Sequence, residues 1–88
     1  MRYRPDMSRS IVFEENNGCL VAEVTASDFA AAFAVMSHIA LIAERRGHHP
    51  DMAISWNRVT LSIYSHDVGM ITDRDHQLAQ AISAEVWL

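Results

Sequence analysis

Residues 11–47 read IVFEENNGCLVAEVTASDFAAAFAVMSHIALIAERRG. Ile11-Val12-Phe13 and Cys19 to Val24 are short β-prone runs on either side of Asn16-Asn17-Gly18. Asn-Gly between such runs is a strong hairpin signal, because both turn residues must accept positive φ. Ser27 or Asp28 then caps a helix that runs to about Arg46, with Gly47 as its natural stop. Along that helix Phe29, Phe33, Met36, Ala40 and Ala43 form one apolar stripe, and Val35, Ile39 and Ile42 form another beside it. A helix apolar around most of its circumference must be covered on more than one side. In a chain of 88 residues, one cover is a sheet and the other a second subunit. Glu44 lies close to three turns beyond Phe33 at about 3.6 residues per turn, which places it on the inward stripe.

Beyond Gly47 comes His48-His49-Pro50, where the proline prevents helix continuation. Met52, Ile54 and Trp56 alternate with Ala53 and Ser55, as a strand requires. Asn57-Arg58 allows a turn. The following strand starts at Val59, with Val59, Leu61 and Ile63 on one face and Thr60, Ser62, Tyr64 and His66 on the other. His66 thus projects from the polar side of the sheet, at its end. Gly69 marks a loop, and Thr72 opens a last helix through about Val86, packed through Leu78, Ala79, Ile82 and Val86. The order ββαββα predicts an α+β domain, a four-stranded antiparallel sheet with helices on one face.

Residues 1–10 are polar, contain Pro5 and show no periodicity, so they read as a loose arm before a single domain over 11–88. Three arginines precede residue 10, but no apolar run follows them as a signal peptide requires. A chain this short buries only about 60–65% of its unfolded surface, so association with copies of itself would help. A formal net charge of −4 argues against a non-specific nucleic-acid binder, which needs a basic face. No apolar run approaches the roughly 20 residues of a membrane span. One cysteine, Cys19, excludes an internal disulfide and a Cys-based zinc site. A cytoplasmic protein fits these features.

The candidate chemistry lies in His48, His49, His66 and Asp75. Histidine exchanges protons near neutral pH. Each residue also has a purely structural explanation: a polar corner for His48 and His49, a strand end for His66. For Asp75 it is the capping box of Thr72-Asp73-Arg74-Asp75, in which the acid reaches back to the helix start. His38 and His76 fall on polar helix positions and read as surface. Adjacent residues in an extended segment point to opposite sides, so His48 and His49 are poorly placed to share a zinc ion. His66 with one of the pair and a carboxylate stays open. No serine sits on a Gly-flanked elbow, and the three glycines do not cluster as a phosphate loop does.

Taken in order, these residues resemble a specific family. Ser27-Asp28-Phe29, Ala32-Phe33, Ala43-Glu44, His48-His49-Pro50, Trp56-Asn57-Arg58-Val59, Ser65-His66 and Thr72-Asp73-Arg74-Asp75 together resemble the pterin-4a-carbinolamine dehydratases. The likeness spans about residues 20–85. It implies a four-stranded antiparallel sheet packed against helices, in homodimers that often pair into tetramers. It also implies dehydration of 4a-hydroxytetrahydropterin to quinonoid dihydropterin without metal or cofactor. By the same resemblance His48 and His66 match the proton-shuttling histidines, and His49 matches one that orients the pterin. Glu44 and Asp75 match acids that line or support the site, with Pro50 and Ser65 beside them. Some members of the family double as transcriptional co-activators, so a non-catalytic dimerisation or pterin-binding module on the same fold is the alternative. The sequence departs from the family at Gly47, Met52, Tyr64 and Met70, and it reads as a short variant without the usual N-terminal helix.

Overall fold

The structure is a computed structural model and describes residues 10–86. The arm expected over residues 1–10 lies, apart from Ser10, outside the described residues. Six elements follow in the order β1 (Glu14–Asn16), β2 (Cys19–Thr25), α1 (Phe29–Arg46), β3 (Asp51–Ser55), β4 (Arg58–Ile63) and α2 (Asp73–Glu85). The strands form one antiparallel sheet in the order β1-β2-β4-β3.

The first hairpin turns on Asn17 (φ 53°) and Gly18 (φ 78°), the two positive values that a tight two-residue turn needs. That turn pairs Asn16 with Cys19 and Glu15 with Leu20. Pairing therefore begins at the turn, and the first strand is Glu14–Asn16, not the expected Ile11–Phe13. Ile11 is buried ahead of the strand, with its carbonyl accepting a hydrogen bond from the Ser83 hydroxyl.

In the centre of the sheet Leu20 faces Ile63, Ala22 faces Leu61, and Val24 faces Val59. All six side chains are buried, because alternate residues of a strand share one face. Glu23 and Thr60 are paired on the opposite face and exposed. Both helices cover the apolar face. Ile39 and Ile42 of α1, with Leu78 and Ile82 of α2, complete the core. Full burial of each such side chain contributes about 1.5–3 kcal/mol.

The inward side of α1 differs from the expected one. Ala32, Ile39, Ile42 and Ala43 are buried, whereas Phe29, Phe33 and Leu41 are 51%, 52% and 65% exposed. Ala32 and Ala43 put two small side chains on the buried side of the helix. The phenylalanines are rotated from that direction by roughly a quarter turn at about 100° per residue, and they stack on each other at 6.5 Å. The same rotation carries Glu44 out of the core, where its side chain is 79% exposed.

The second hairpin also corrects the expected register. Ser55 pairs with Arg58, so the turn is Trp56-Asn57, and Trp56 is 67% exposed, not packed with Met52 and Ile54. Its φ of 50° is costly for a bulky residue. Two hydrogen bonds offset that cost. The Asn57 side-chain amide donates to the Ala26 carbonyl at 3.0 Å, and the Ala26 N–H donates to the Asn57 carbonyl at 2.8 Å.

Candidate active site

His48 is delivered by the end of α1. Gly47 adopts a left-handed conformation (φ 65°, ψ 25°), and its N–H bonds to the carbonyls of Ala43 and Glu44, satisfying groups that a helix end leaves open. The chain then reverses, and the His48 N–H donates to the Ala43 carbonyl at 3.3 Å. This tucks the imidazole against the start of α2, with 15% of its side chain exposed. His49 has a different partner, with its side chain 62% exposed and Nε2 3.0 Å from Glu44 Oε1.

Opposite His48 stands Asp75, in the first turn of α2 and fully buried. Its Oδ1 lies 2.6 Å from His48 Nε2. Its Oδ2 accepts from the Ser65 hydroxyl and the Thr72 N–H, both at 2.7 Å, and from the Thr72 hydroxyl at 3.2 Å. Asp75 is therefore the acid of the capping box that starts at Thr72 and the histidine partner at once. Burial pushes its carboxyl up, but hydrogen bonds from His48, Ser65 and the Thr72 backbone outweigh that and hold it below its ordinary value. An ionised carboxylate only accepts, so His48 Nε2 donates the proton of this bond and Nδ1 takes no part in it.

His66 sits on the turn after β4. Ser65 bridges to Met70, and the Gly69 N–H donates to the Ser65 carbonyl at 2.8 Å. The His66 side chain is 71% exposed, with Nε2 3.8 Å from Asp51 Oδ2. Tyr64, two residues earlier, meets the His66 ring edge-to-face at 4.8 Å and 86°.

His48, His49, Pro50 and His66 line one cleft of about 430 Å³, together with Gly47, Asp51, Tyr64, Asp67 and Arg74. That volume falls in the roughly 300–1,000 Å³ range of small-molecule sites. Arg74 bonds Asp67 at 2.7 Å, and this bond above all holds the Asp67 carboxyl below its ordinary range. Two larger hollows, about 800 Å³ beside α2 and about 630 Å³ on the open sheet face, do not gather several imidazoles. Among the described residues no group of three or more His, Cys, Asp or Glu side chains is placed to hold a metal ion. Nor is any helix there long and apolar enough to cross a membrane.

The expected site residues thus divide. His48, His49, His66 and Pro50 share the cleft; Asp75 and Ser65 lie buried behind it. Glu44, expected on the inward stripe, instead stands in solvent and reaches the cleft only through His49. Asp51, Tyr64, Asp67 and Arg74 were not among the expected site residues. Alternation along the strand end places Tyr64 beside His66, and Asp51 directly follows Pro50. Nothing in the spacing of Asp67 and Arg74 announces their ion pair.

The chain is thus a two-layer α+β domain with an imidazole-lined cleft, one of its imidazoles bonded to a buried carboxylate. The sequence profile described as Pterin 4 alpha carbinolamine dehydratase matches residues 9–85, and the chain belongs to that family. A protein of Chloroflexus aggregans, carrying the provisional name pterin-4-alpha-carbinolamine dehydratase, is 43% identical over 79 residues, covering 90% of this chain and 79% of that one. A protein of Thermosynechococcus vestitus with the same provisional name is 49% identical over 59 residues, 67% of this chain and 62% of that one. Among solved structures, the transcriptional coactivator/pterin dehydratase from Brucella melitensis superposes with a TM-score of 0.75 at 27% identity, covering 82% of this chain and 79% of that one. A pterin dehydratase-like protein identified as a RuBisCO assembly factor in the alpha-carboxysome gives 0.66 at 16% identity over 92% and 94% of the two chains; that likeness is one of fold.

Proposed function

We propose that this chain dehydrates 4a-hydroxytetrahydropterin, or a close bicyclic relative, to the quinonoid dihydropterin. The observation that carries the reading is the convergence of His48, His49 and His66 on one cleft, with His48 held by the ionised Asp75. Loss of water from C4a requires one proton delivered to the departing hydroxyl and another removed from the adjacent ring nitrogen. The C–O bond breaks as the nitrogen lone pair forms the C=N bond, so the electrons balance without a redox partner. One imidazole enters as imidazolium and the other neutral, and His48 and His66 share these two tasks. His49, oriented by Glu44, holds the substrate. Such placed acid–base groups contribute about 10²–10⁴-fold. With one cysteine and no internal disulfide, the reading includes a reducing, cytoplasmic setting.

The test is the rate of 4a-hydroxytetrahydropterin dehydration above the spontaneous reaction, for the parent and for His48→Ala. We expect acceleration by the parent and its loss, by about 10²–10⁴-fold, in the variant. Equal rates for the two proteins would remove His48 from the mechanism.

One observation favours a second reading. Phe29, Phe33 and Leu41 leave an apolar face on α1 suited to a second copy or a partner helix, and the Brucella melitensis relative is titled both coactivator and pterin dehydratase. On that reading the chain is a dimerisation or regulatory module. A stable homodimer or homotetramer that turns over pterin supports the enzyme; an assembly that needs another protein on α1, without turnover, supports the module.

A further inference from the structure

Each of the three cleft histidines is oriented differently, and His66 has the least obvious device. His48 is fixed by a 2.6 Å bond to a fully buried carboxylate. His49 has Glu44 at 3.0 Å. For His66 the nearest acid, Asp51, lies at 3.8 Å, beyond a hydrogen bond. Its side chain is 71% exposed on a turn, where a free imidazole would sample several rotamers.

Tyr64 supplies what Asp51 does not. It is half-buried, shares the strand-end face with His66, and meets that ring at 4.8 Å with the planes at 86°. This edge-to-face arrangement is one that aromatic pairs prefer. Its hydroxyl lies 3.6 Å from where a side chain on Gly69 would begin, so the phenol rests along the turn that carries His66. The ring thus runs from the end of β4 along that turn. It also lines the cleft.

We propose that Tyr64 is the positioning residue for His66, its ring confining the imidazole to the cleft-facing orientation. The proposal rests on the dehydratase reading for its catalytic consequence, but the confinement itself can be observed without turnover. The aromatic ring matters here, not its hydroxyl: the contact is ring against ring.

The experiment combines NMR of the free protein with steady-state kinetics on 4a-hydroxytetrahydropterin. In the parent, cross-relaxation between the Tyr64 and His66 ring protons is expected, with the His66 resonances displaced by the neighbouring ring. Tyr64→Ser returns the His66 resonances toward free-imidazole positions and lowers kcat by about two- to tenfold, the population ratio such a pair can hold, while KM moves less. Tyr64→Phe restores both the displacement and the lost kcat. Absence of the cross-relaxation in the parent overturns the proposal without any variant, so misfolding of Tyr64→Ser leaves it testable. Failure of Tyr64→Phe to restore kcat while His66 stays displaced also overturns it, since the hydroxyl would then be what acts. If the parent has no turnover but the displacement is present and lost in Tyr64→Ser, the dehydratase reading falls and the positioning stands.

Discussion

Asp75 Oδ1 lies 2.6 Å from His48 Nε2 across 27 residues of sequence. The other oxygen of the same carboxylate closes the first turn of α2 through the Thr72 N–H. One side chain therefore couples a helix start to the histidine corner. The two uses do not compete, because a carboxylate offers about four lone-pair sites. Ser65, fully buried, adds a third tie from the end of β4.

Asp75→Asn should cost about 3 kcal/mol at pH 7, the scale of losing hydrogen bonds to a buried charged group, read from urea midpoints. The folded carboxyl titrates below its ordinary value of 3.8. Its stabilisation is therefore complete above the unfolded value and lost as pH falls through the lower folded one. The parent should lose this component below about pH 4, and Asp75→Asn should lack that part of the acid limb. Parallel acid limbs for the two proteins would contradict the assignment.

His66→Ala should lower kcat by about 10²–10⁴-fold. Groups that act as a unit are not additive, so His48→Ala/His66→Ala should lose much less than the product of the single losses. Rates that multiply would indicate independent roles.

Glu44→Gln tests the exposed pair with His49. Such a pair is worth up to about 1 kcal/mol, so KM should rise by no more than about fivefold. Denaturation should show a stability change within about 0.5 kcal/mol. Raising ionic strength should narrow the KM difference, because salt screens exposed charges.

Gly47→Ala isolates a backbone effect. A side chain there meets nothing within 4 Å, but φ is +65°. The left-handed conformation costs an ordinary residue about 1–2 kcal/mol, and Gly47→Asn should cost less because Asn tolerates it. Equal stability of glycine and alanine variants in urea would show that the helix end had adjusted.

Phe33→Glu addresses the outward face of α1. Half exposed in the single chain, Phe33 can be replaced at a cost to the fold of about 0.5 kcal/mol or less. On the proposed homo-oligomer, the same change should dissociate the assembly in sedimentation. Identical sedimentation of parent and variant would place the interface elsewhere.

The order of elements, the Asn-Gly turn, a cap at Ser27 or Asp28 (Asp28 in the structure, accepting from the Ala31 N–H) and the Gly47 stop were all legible in the sequence. They depend on local backbone preferences and on alternation over a few residues. So was the buried face of β4, since Val59, Leu61 and Ile63 repeat with period two. The inward side of α1 was not. With apolar residues almost all round, its periodicity does not choose a direction, and packing against the sheet and α2 decided it. That one rotation moved Phe29, Phe33 and Glu44 outward. Trp56 was misplaced for a related reason: its turn is held by Asn57 against Ala26, a contact 31 residues away.

At the site, residue type made His48, His49 and His66 candidates, because imidazole is the side chain suited to proton exchange near neutrality. The capping box also made Asp75 recognisable as a helix start. Sequence by itself determined which groups were available and where the chain would bend. Only the tertiary structure decided that Asp75 meets His48, that Glu44 reaches His49 from solvent, and that Tyr64 lies against His66. Hydrogen bonds and ring contacts act over a few ångströms, so their partners are chosen by how α2, the α1 end and the β4 turn pack together.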